Sequence, residues 1–461
     1  MLERDPGSFR DPSGFVYRRD GVVLRQVNRA YLEEWLALEA SGLMATLVRT
    51  KRLIPHEEVA LELAAGPGEA VAVIRPEPLE FVSYPYEWTF SQLKDAALLT
   101  LDVQDAAMAS GFTLKDASAF NVQFHRGRPL LIDSLSFERA TPGAPWVAYR
   151  QFCEHFLAPL ALMAYRDVRF GALLRDFIDG IPLDFAAELL PTRTWLRLGI
   201  AAHIRLHARA QHRYADQAVT ADKKAGMSPA RLQALVASLR STVRRLDWQP
   251  AGTEWADYTE NTNYDEAATN AKAALVERFL AAAAPKRVWD LGANTGRYSR
   301  IAADGGAWVL APDGDPAAAE RHYRALEKSV RARIMPLVID LANPSPDLGW
   351  NGLERASFIG RANADVSLAL ALVHHLAIGR NIPLPDVAQL MARLSSELII
   401  EWVPKEDSQV RRLLASRRDV FADYTEAGFR AAFEARFELV EEAPIPGTVR
   451  ILMRYRRREP A

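Results

Sequence analysis

A short glycine turn within residues 287–299 carries residue types suited to holding a nucleotide-like ligand. An apolar run ends in Val288 and Trp289, Asp290 follows, and Gly292 and Gly296 lie in the turn before a predicted helix. Glycine adopts positive φ at little cost and lets a ligand approach the backbone closely. The N–H groups at the start of the helix suit a carboxylate or a phosphate. The pattern predicts the ligand-binding loop of an open α/β sheet.

Two further acids follow at the end of the next apolar run. Asp313 and Asp315 lie 23 and 25 residues after Asp290. An ionised carboxylate only accepts hydrogen bonds, which suits the two hydroxyl groups of a ribose. We predict that Asp313 has this role, with Asp315 as the alternative if the strand ends two residues later.

The turn, Asp290-Leu-Gly292-Ala-Asn294-Thr-Gly296, resembles motif I of the class I S-adenosylmethionine (SAM)-dependent methyltransferases. Asn294 stands at the middle glycine of that motif, and asparagine is among the non-glycine residues that best tolerate left-handed backbone. The spacing does not match the G-x-G-x-x-G of dinucleotide sites, and the G-K-[ST] of a phosphate loop is absent. The resemblance implies SAM as cofactor.

The rest of the C-terminal half alternates apolar runs with helical patterns, which predicts a parallel sheet. The resemblance implies a Rossmann-like class I methyltransferase sheet with a terminal β-hairpin, and it gives Asp340 the contact to the adenine amino group. The predicted strands after the first two are 333–340, 364–375, 397–403 and the hairpin 437–442 with 449–455. The predicted helices are 315–330, 384–394, 408–417 and 425–435.

Two histidines end the predicted fourth strand, beside the crevice where such a sheet binds ligands. A hydroxyl or amine methyl acceptor needs a base, and imidazole has a suitable pKa. We expect His375, or else His374, to serve the acceptor, with one ring in the crevice and the other beneath the sheet because side chains alternate along a strand. The alternative is that both are structural. Further candidate substrate contacts are Glu401, Trp402, Arg380 and Asn381.

The N-terminal half contains a second set of spaced polar residues. Asp116 is followed by Asn121 and, after a predicted two-stranded turn, by Asp133. This resembles the catalytic loop and metal-binding acid of the protein-kinase and small-molecule-kinase fold, which implies a base at Asp116 and metal ligands at Asn121 and Asp133. No glycine-rich loop precedes the set, and Arg25 stands in the strand where that family has its lysine. We therefore predict an α+β, protein-kinase-like domain that does not transfer phosphate; an unrelated α+β domain is the alternative.

These features divide the chain into three parts. Residues 1–215 form the predicted kinase-like domain, residues 216–250 a helical linker that begins its helix at Ser228-Pro229, and residues 251–461 the predicted SAM-dependent methyltransferase domain. The order of motifs along the chain resembles bacterial two-part proteins of the class I methyltransferase family, some of them nodulation-protein-like.

Composition narrows the choice of partner and compartment. The 461 residues include 57 Lys plus Arg and 58 Asp plus Glu, so the chain lacks the net basic charge that would predict nucleic-acid binding. A single cysteine, Cys153, fits a reducing compartment. No signal peptide or membrane span is predicted, so we expect a cytoplasmic protein.

Three functions remain open from the sequence. The first is a methyltransferase acting on a small-molecule, glycan or lipid acceptor, with the N-terminal domain positioning substrate or partner. The second is a bifunctional kinase–methyltransferase, and the third is a non-catalytic binding or scaffold protein. Neither the acceptor nor the oligomeric state follows from the residues.

Overall fold

The computed structural model describes residues 2–207, 226–250, 266–415 and 418–459. The chain divides into two compact units. The first unit comprises Met1–Gln249 together with Asp347–Ala356, and the second comprises Pro250–Pro346 together with Ser357–Ala461.

The first unit begins with an antiparallel sheet whose strand order is β1-β2-β3-β5-β4. Its strands are β1 Leu2–Arg4, β2 Gly14–Arg19, β3 Val22–Asn28, β4 His56–Val59 and β5 Ala70–Pro76. Two small antiparallel pairs follow, β6 Phe112–Leu114 with β9 Phe137–Arg139, and β7 Val122–His125 with β8 Arg128–Leu131. The β7–β8 pair confirms the two short strands predicted around Gly127.

Helices form the remainder of the first unit. They are α1 Leu32–Ser41, α2 Leu43–Arg49, α3 Phe90–Ala109, α4 Tyr149–Phe152, α5 Ala158–Tyr165, α6 Leu173–Asp176, α7 Leu183–Leu189, α8 Leu198–Ile200 and α9 Pro229–Arg245. A capping box between Thr89 and Gln92 begins the long helix α3. The predicted helix 192–215 continues beyond the described residues, which stop at 207 and resume at 226.

Helix α9 is the helix predicted within the linker. Ser228 caps it by accepting a hydrogen bond from the Arg231 N–H group. It buries Val236 and Val243, and Arg240 forms ion pairs with Asp102 and Asp105 of α3. The described part of the predicted linker therefore packs as part of the first unit.

The second unit contains a sheet with strand order β12-β11-β10-β13-β14-β16-β15. The strands are β10 Arg287–Asp290, β11 Trp308–Asp313, β12 Ile334–Val338, β13 Ala364–Ala369, β14 Ser395–Trp402, β15 Phe437–Pro444 and β16 Ile451–Arg457. Strands β10 to β14 pair in parallel, and β16 is antiparallel to β14 and β15. The parallel sheet with its terminal hairpin is the arrangement expected from the sequence.

Helices cover this sheet and supply its core. They are α10 Glu266–Ala283, α11 Arg297–Asp304, α12 Pro316–Ala325, α13 Lys328–Arg331, α14 Leu384–Leu394, α15 Ser408–Ala415 and α16 Glu426–Glu434. One apolar cluster joins Val276 and Phe279 of α10 to Val288, Val309 and Val366 of the central strands. Strands buried on both faces explain the continuous apolar runs in the sequence.

The fourth parallel strand is shorter than predicted. β13 ends at Ala369, and Ala371 adopts a positive φ of 52° that turns the chain out of the sheet. His375 begins a wide helical turn, His375–Gly379. The prediction of a strand through His375 is therefore wrong, because an apolar run alone does not distinguish a strand from a buried helical turn.

No helix among the described residues combines the length and the apolar composition needed to cross a bilayer.

Candidate active site

A cavity of about 650 Å³ lies in the second unit, at the carboxyl ends of the central strands. Its walls include the glycine turn after β10, the end of β11 and the segment after β13. The sheet order reverses between β10 and β13, and open α/β sheets bind ligands at such a switch point. The volume falls within the range of roughly 300–1,000 Å³ usual for small-molecule sites.

The glycine turn has the left-handed backbone that its residue types allow. Gly292, Asn294 and Gly296 have φ values of 72°, 48° and 82°. Helix α11 begins directly after Gly296, which has no side chain to cap it. Of its first amide groups, that of Ser299 donates to the Asp290 carboxylate. This helix end can therefore donate to an anionic group in the cavity.

Gly296 also has no room for a side chain. A Cβ atom at this position would lie 1.9 Å from Nε2 of His322, a residue of α12 that is fully buried. The turn thus rests directly on the ring of His322. Glycine is required here by both its backbone angle and this contact.

Asp313 ends β11 and lines the cavity, whereas the carboxylate of Asp315 caps the following helix. The Asp313 carboxylate accepts hydrogen bonds from the backbone N–H groups of Asn294, at 2.7 Å, and Asp315, at 2.8 Å. It therefore holds the glycine turn against β11, and burial raises its pKa to about 6. Asp315 also borders the cavity, but its carboxylate caps α12 by accepting from the Ala317 N–H at 2.8 Å.

Asp290 and Asp340 both line the cavity but differ in burial. Asp290 is buried, and its carboxylate accepts a hydrogen bond from the Ser299 hydroxyl at 2.6 Å. Burial raises the pKa of Asp290 to about 6, against the lowering effect of that hydrogen bond. Asp340 is partly exposed and pairs with the guanidinium of Arg380 at 3.0 Å. Both Asp340 and Arg380 line the cavity, consistent with their predicted places.

The two adjacent histidines differ in exposure. His375 lines the cavity, where burial and the charge of Arg450 lower its pKa to about 4. His374 is fully buried beneath it, with the two ring centroids 4.0 Å apart. Neither ring nitrogen of His374 has a hydrogen-bond partner in the described part of the chain. Of the two histidines, His375 is the one that faces the cavity.

Glu401 does not line the cavity but anchors a buried charge network behind its wall. Its carboxylate accepts hydrogen bonds from Lys272 Nζ at 2.5 Å, from Arg450 Nη1 at 3.0 Å and from the Ala371 N–H at 2.8 Å. Arg450 also binds Asp407 through two hydrogen bonds of 2.7 and 3.0 Å. The prediction that Glu401 touches substrate is wrong, because these partners enclose its carboxylate.

Trp402 and Asn381 also lie away from the cavity. Trp402 is buried and packs against Tyr424 and Phe429, with ring centroids 4.8 and 5.0 Å apart. Asn381 is exposed with a positive φ of 56°, which makes it a turn residue after His375–Gly379. Neither residue is part of the cavity wall. The substrate contact expected of Trp402 does not fit its burial, whereas that of Asn381 stays a prediction.

Sequence reasoning missed several residues of the cavity wall. Lys272 lies on α10, four residues from both Ala268 and Val276, and so on the buried face of that helix. A lysine on an apolar helix face is a detectable signal, because such a side chain needs a buried partner. Arg450 follows a Pro-Gly turn, and Gln409 lies at the start of α15. Nothing local in the sequence marks these two.

In the first unit, the three residues of the second predicted site lie together, since Asn121 forms a side-chain hydrogen bond with Asp116. The Asp116 carboxylate accepts from the Ser118 N–H and from Gln151, and Asn121 donates to the Ser136 hydroxyl, which in turn donates to Asp133. Among the described residues, no group of three or more His, Cys, Asp and Glu side chains is arranged to hold a metal ion.

The second unit is an α/β fold with a cavity at the switch point of its sheet. No family model matches the chain. The chain is 37% identical to the nodulation protein NoeA of Rhizobium meliloti (strain 1021), over 99% of this chain and 96% of that protein. It therefore belongs to the NoeA family.

Similarity to solved structures is weak. The N-methyltransferase NodS of Bradyrhizobium japonicum WM9 aligns with a TM-score of 0.32 and 14% identity, over 42% of this chain and 99% of NodS. The magnesium protoporphyrin IX methyltransferase ChlM of Synechocystis PCC 6803, solved with bound SAM, aligns with a TM-score of 0.30 and 15% identity. The alignment covers 45% of this chain and 86% of ChlM. The bifunctional kinase-methyltransferase WbdD aligns with a TM-score of 0.31 and 15% identity, over 46% of this chain and 44% of WbdD. TM-scores of this size establish neither a shared fold nor a shared function.

Proposed function

We propose that the second unit binds S-adenosylmethionine and transfers its methyl group to a small-molecule, glycan or lipid acceptor. The observation that carries the proposal is the cavity at the switch point, where the glycine turn and Asp313 meet. When bound, the cofactor would supply an electrophilic methyl group on a cationic sulfonium.

Three groups of the chain fit such a ligand. The start of α11 can donate backbone hydrogen bonds to the carboxylate of the amino-acid part. The Asp313 carboxylate, partly open to the cavity, can accept from the ribose hydroxyls. Asp340 lies at the end of the third strand and can accept from the adenine amino group. These three roles follow the order expected from the motif I resemblance.

The acceptor side of the cavity includes His375 and Gln409. His375 is neutral near pH 7, because burial and Arg450 hold its pKa near 4. A neutral imidazole can accept a hydrogen bond from an acceptor hydroxyl or amine and hold it in line with the methyl group. We propose this orienting role for His375, and we propose that the first unit positions the acceptor or a partner.

Calorimetry of the full chain with SAM tests the cofactor. The Asp313→Asn substitution keeps the side-chain volume but loses the charge. It should weaken binding by about 1.5–3 kcal/mol, roughly 10- to 150-fold. Asp386→Asn is the matched control, because Asp386 is exposed in the first turn of α14, away from the cavity. No binding heat with the wild-type chain, or equal affinities for the two variants, would contradict the proposal.

The acceptor can be sought without a candidate in hand. Methyl-labelled SAM is incubated with the full chain and a small-molecule extract, and labelled products are separated by mass. A labelled product that depends on the chain and disappears with Asp313→Asn supports methyl transfer. SAM binding without any labelled product from sugar, lipid and metabolite fractions would favour the non-catalytic alternative.

A further inference from the structure

A buried ion pair lies at the centre of the first unit's polar cluster. Nη2 of Arg25, on β3, lies 2.6 Å from Oδ1 of Asp133, and only 11% and 12% of the two side chains are exposed. We propose that Arg25 is the resident cation of the cluster formed by Asp116, Asn121 and Asp133, and that this cluster takes no divalent metal ion. The proposal is independent of methyl transfer in the second unit.

The oxygen atoms of Asp133 are largely occupied by the protein itself. Besides Arg25, Oδ1 accepts a hydrogen bond from the Leu135 N–H at 3.0 Å. Oδ2 accepts from the Ser136 hydroxyl at 2.7 Å. A carboxylate oxygen offers two lone pairs, so Oδ1 has none left for a cation. A metal ion bound through Oδ1 would have to displace the guanidinium, and one bound through Oδ2 would lie next to that positive charge.

The expected base, Asp116, and the other expected metal ligand, Asn121, also form hydrogen bonds within the protein. Oδ1 of Asp116 accepts from the Ser118 N–H at 2.9 Å and from Gln151 at 2.8 Å. The Asn121 side chain reaches Asp133 through Ser136, to which its Nδ2 donates at 3.3 Å. Magnesium requires near-octahedral oxygen ligands at about 2.0–2.1 Å. These side chains form a hydrogen-bonded chain instead, so they do not fit the metal that the kinase resemblance implies.

The guanidinium is also difficult to move away. Arg25 pairs with Val16 of β2 and Ile74 of β5, so its backbone is fixed on both sides within the sheet. Arginine keeps its charge at every accessible pH, and a buried guanidinium that loses its carboxylate is strongly unfavourable. A divalent ion placed beside it would add repulsion between like charges. The ion pair therefore excludes the metal by both charge and position.

Manganese titration followed by electron paramagnetic resonance tests this in the full chain. The compared proteins are the wild type, Asp133→Asn, Arg25→Met and the double variant. Arg18→Met is the matched control, because Arg18 is exposed on the neighbouring strand β2. We expect the wild type, Asp133→Asn and Arg18→Met to bind equal numbers of ions. Arg25→Met should gain one site, and the double variant should lose it.

Two results would overturn the proposal. One is a wild-type chain that binds one more manganese ion than Asp133→Asn, since Asp133 would then hold a metal beside Arg25. The other is a folded Arg25→Met variant that gains no site, since the guanidinium would then not be what excludes the metal. If circular dichroism shows that Arg25→Met does not fold, the wild type is compared with Asp133→Asn and Asn121→Ala instead. A manganese site that is present in the wild type and absent from these variants would again overturn the proposal.

Discussion

The contact between Gly296 and His322 allows a quantitative test of how the cavity is built. Gly296→Ala places an L-residue at a φ of 82°, which costs about 1–2 kcal/mol. The new Cβ would lie 1.9, 2.2 and 2.4 Å from three atoms of the His322 ring. Relieving such overlap in a packed site costs about 1–3 kcal/mol more. We therefore expect the second unit to lose about 2–5 kcal/mol of stability.

A matched control separates the two contributions. Gly306 has a φ of 98°, but the nearest atom to a Cβ there is Arg333 Nη1 at 3.9 Å. Gly306→Ala should therefore cost only the backbone part, about 1–2 kcal/mol. In the double variant Gly296→Ala/His322→Ala the ring is absent, so its Cβ overlap is relieved. The double variant should therefore be less destabilised than the sum of the two single variants, by a coupling energy of about 1–3 kcal/mol. The His322 ring nitrogens have no hydrogen-bond partner among the described residues, so no such bond is lost.

Hydrogen exchange measured on peptides from residues 287–304 is the suitable assay, because the chain has two units and need not unfold in one step. SAM affinity measured by calorimetry should fall in Gly296→Ala in parallel, since the turn must shift away from His322. Equal loss of protection in Gly296→Ala and Gly306→Ala would refute the reasoning. So would a double variant that shows no coupling.

Four further predictions concern the chemistry of the cavity and the stability of its surroundings. SAM affinity should fall about tenfold from pH 8 to pH 5 in the wild type, because Asp313, whose pKa is about 6, becomes protonated. Calorimetry of Asp313→Asn should show a smaller dependence of SAM affinity on pH. An equal pH dependence in the two proteins would count against the role of Asp313. His375→Ala should slow single-turnover methyl transfer by about 10²-fold, because the acceptor loses the hydrogen bond that orients it. The wild-type rate should show no histidine inflection between pH 6 and 8, because the pKa of His375 is about 4. A full rate in the variant would make the histidine structural. His374→Ala should instead destabilise the second unit by about 2 kcal/mol or more, measured by hydrogen exchange, because the ring is fully buried. Arg450→Met should destabilise the second unit by about 3–5 kcal/mol, because it leaves Asp407 buried without its cation; near wild-type exchange protection would show that the network is not required.

Much of the second unit follows from local sequence. The apolar runs predict the parallel strands, and Asp290 and Asp313 mark the ends of the first two, which is the edge of the sheet where the cavity lies. Gly292, Asn294 and Gly296 specify a left-handed turn because few other residues adopt that backbone. The terminal hairpin was also predictable, since Pro444 and Gly447 interrupt two apolar runs.

The tertiary structure decided the remaining features, because each depends on contacts between residues far apart in the chain. His375 faces the cavity only because β13 ends at Ala369, and that ending was not visible in a continuous apolar run. Glu401 is enclosed because Lys272 and Arg450, 129 and 49 residues away, converge on it. Residues 347–356 belong to the first unit although they lie in sequence between strands of the second. Residue types and short spacings specify turns, strand ends and helix caps through local backbone energetics, whereas the pairing of buried charges depends on which elements the folded core brings together.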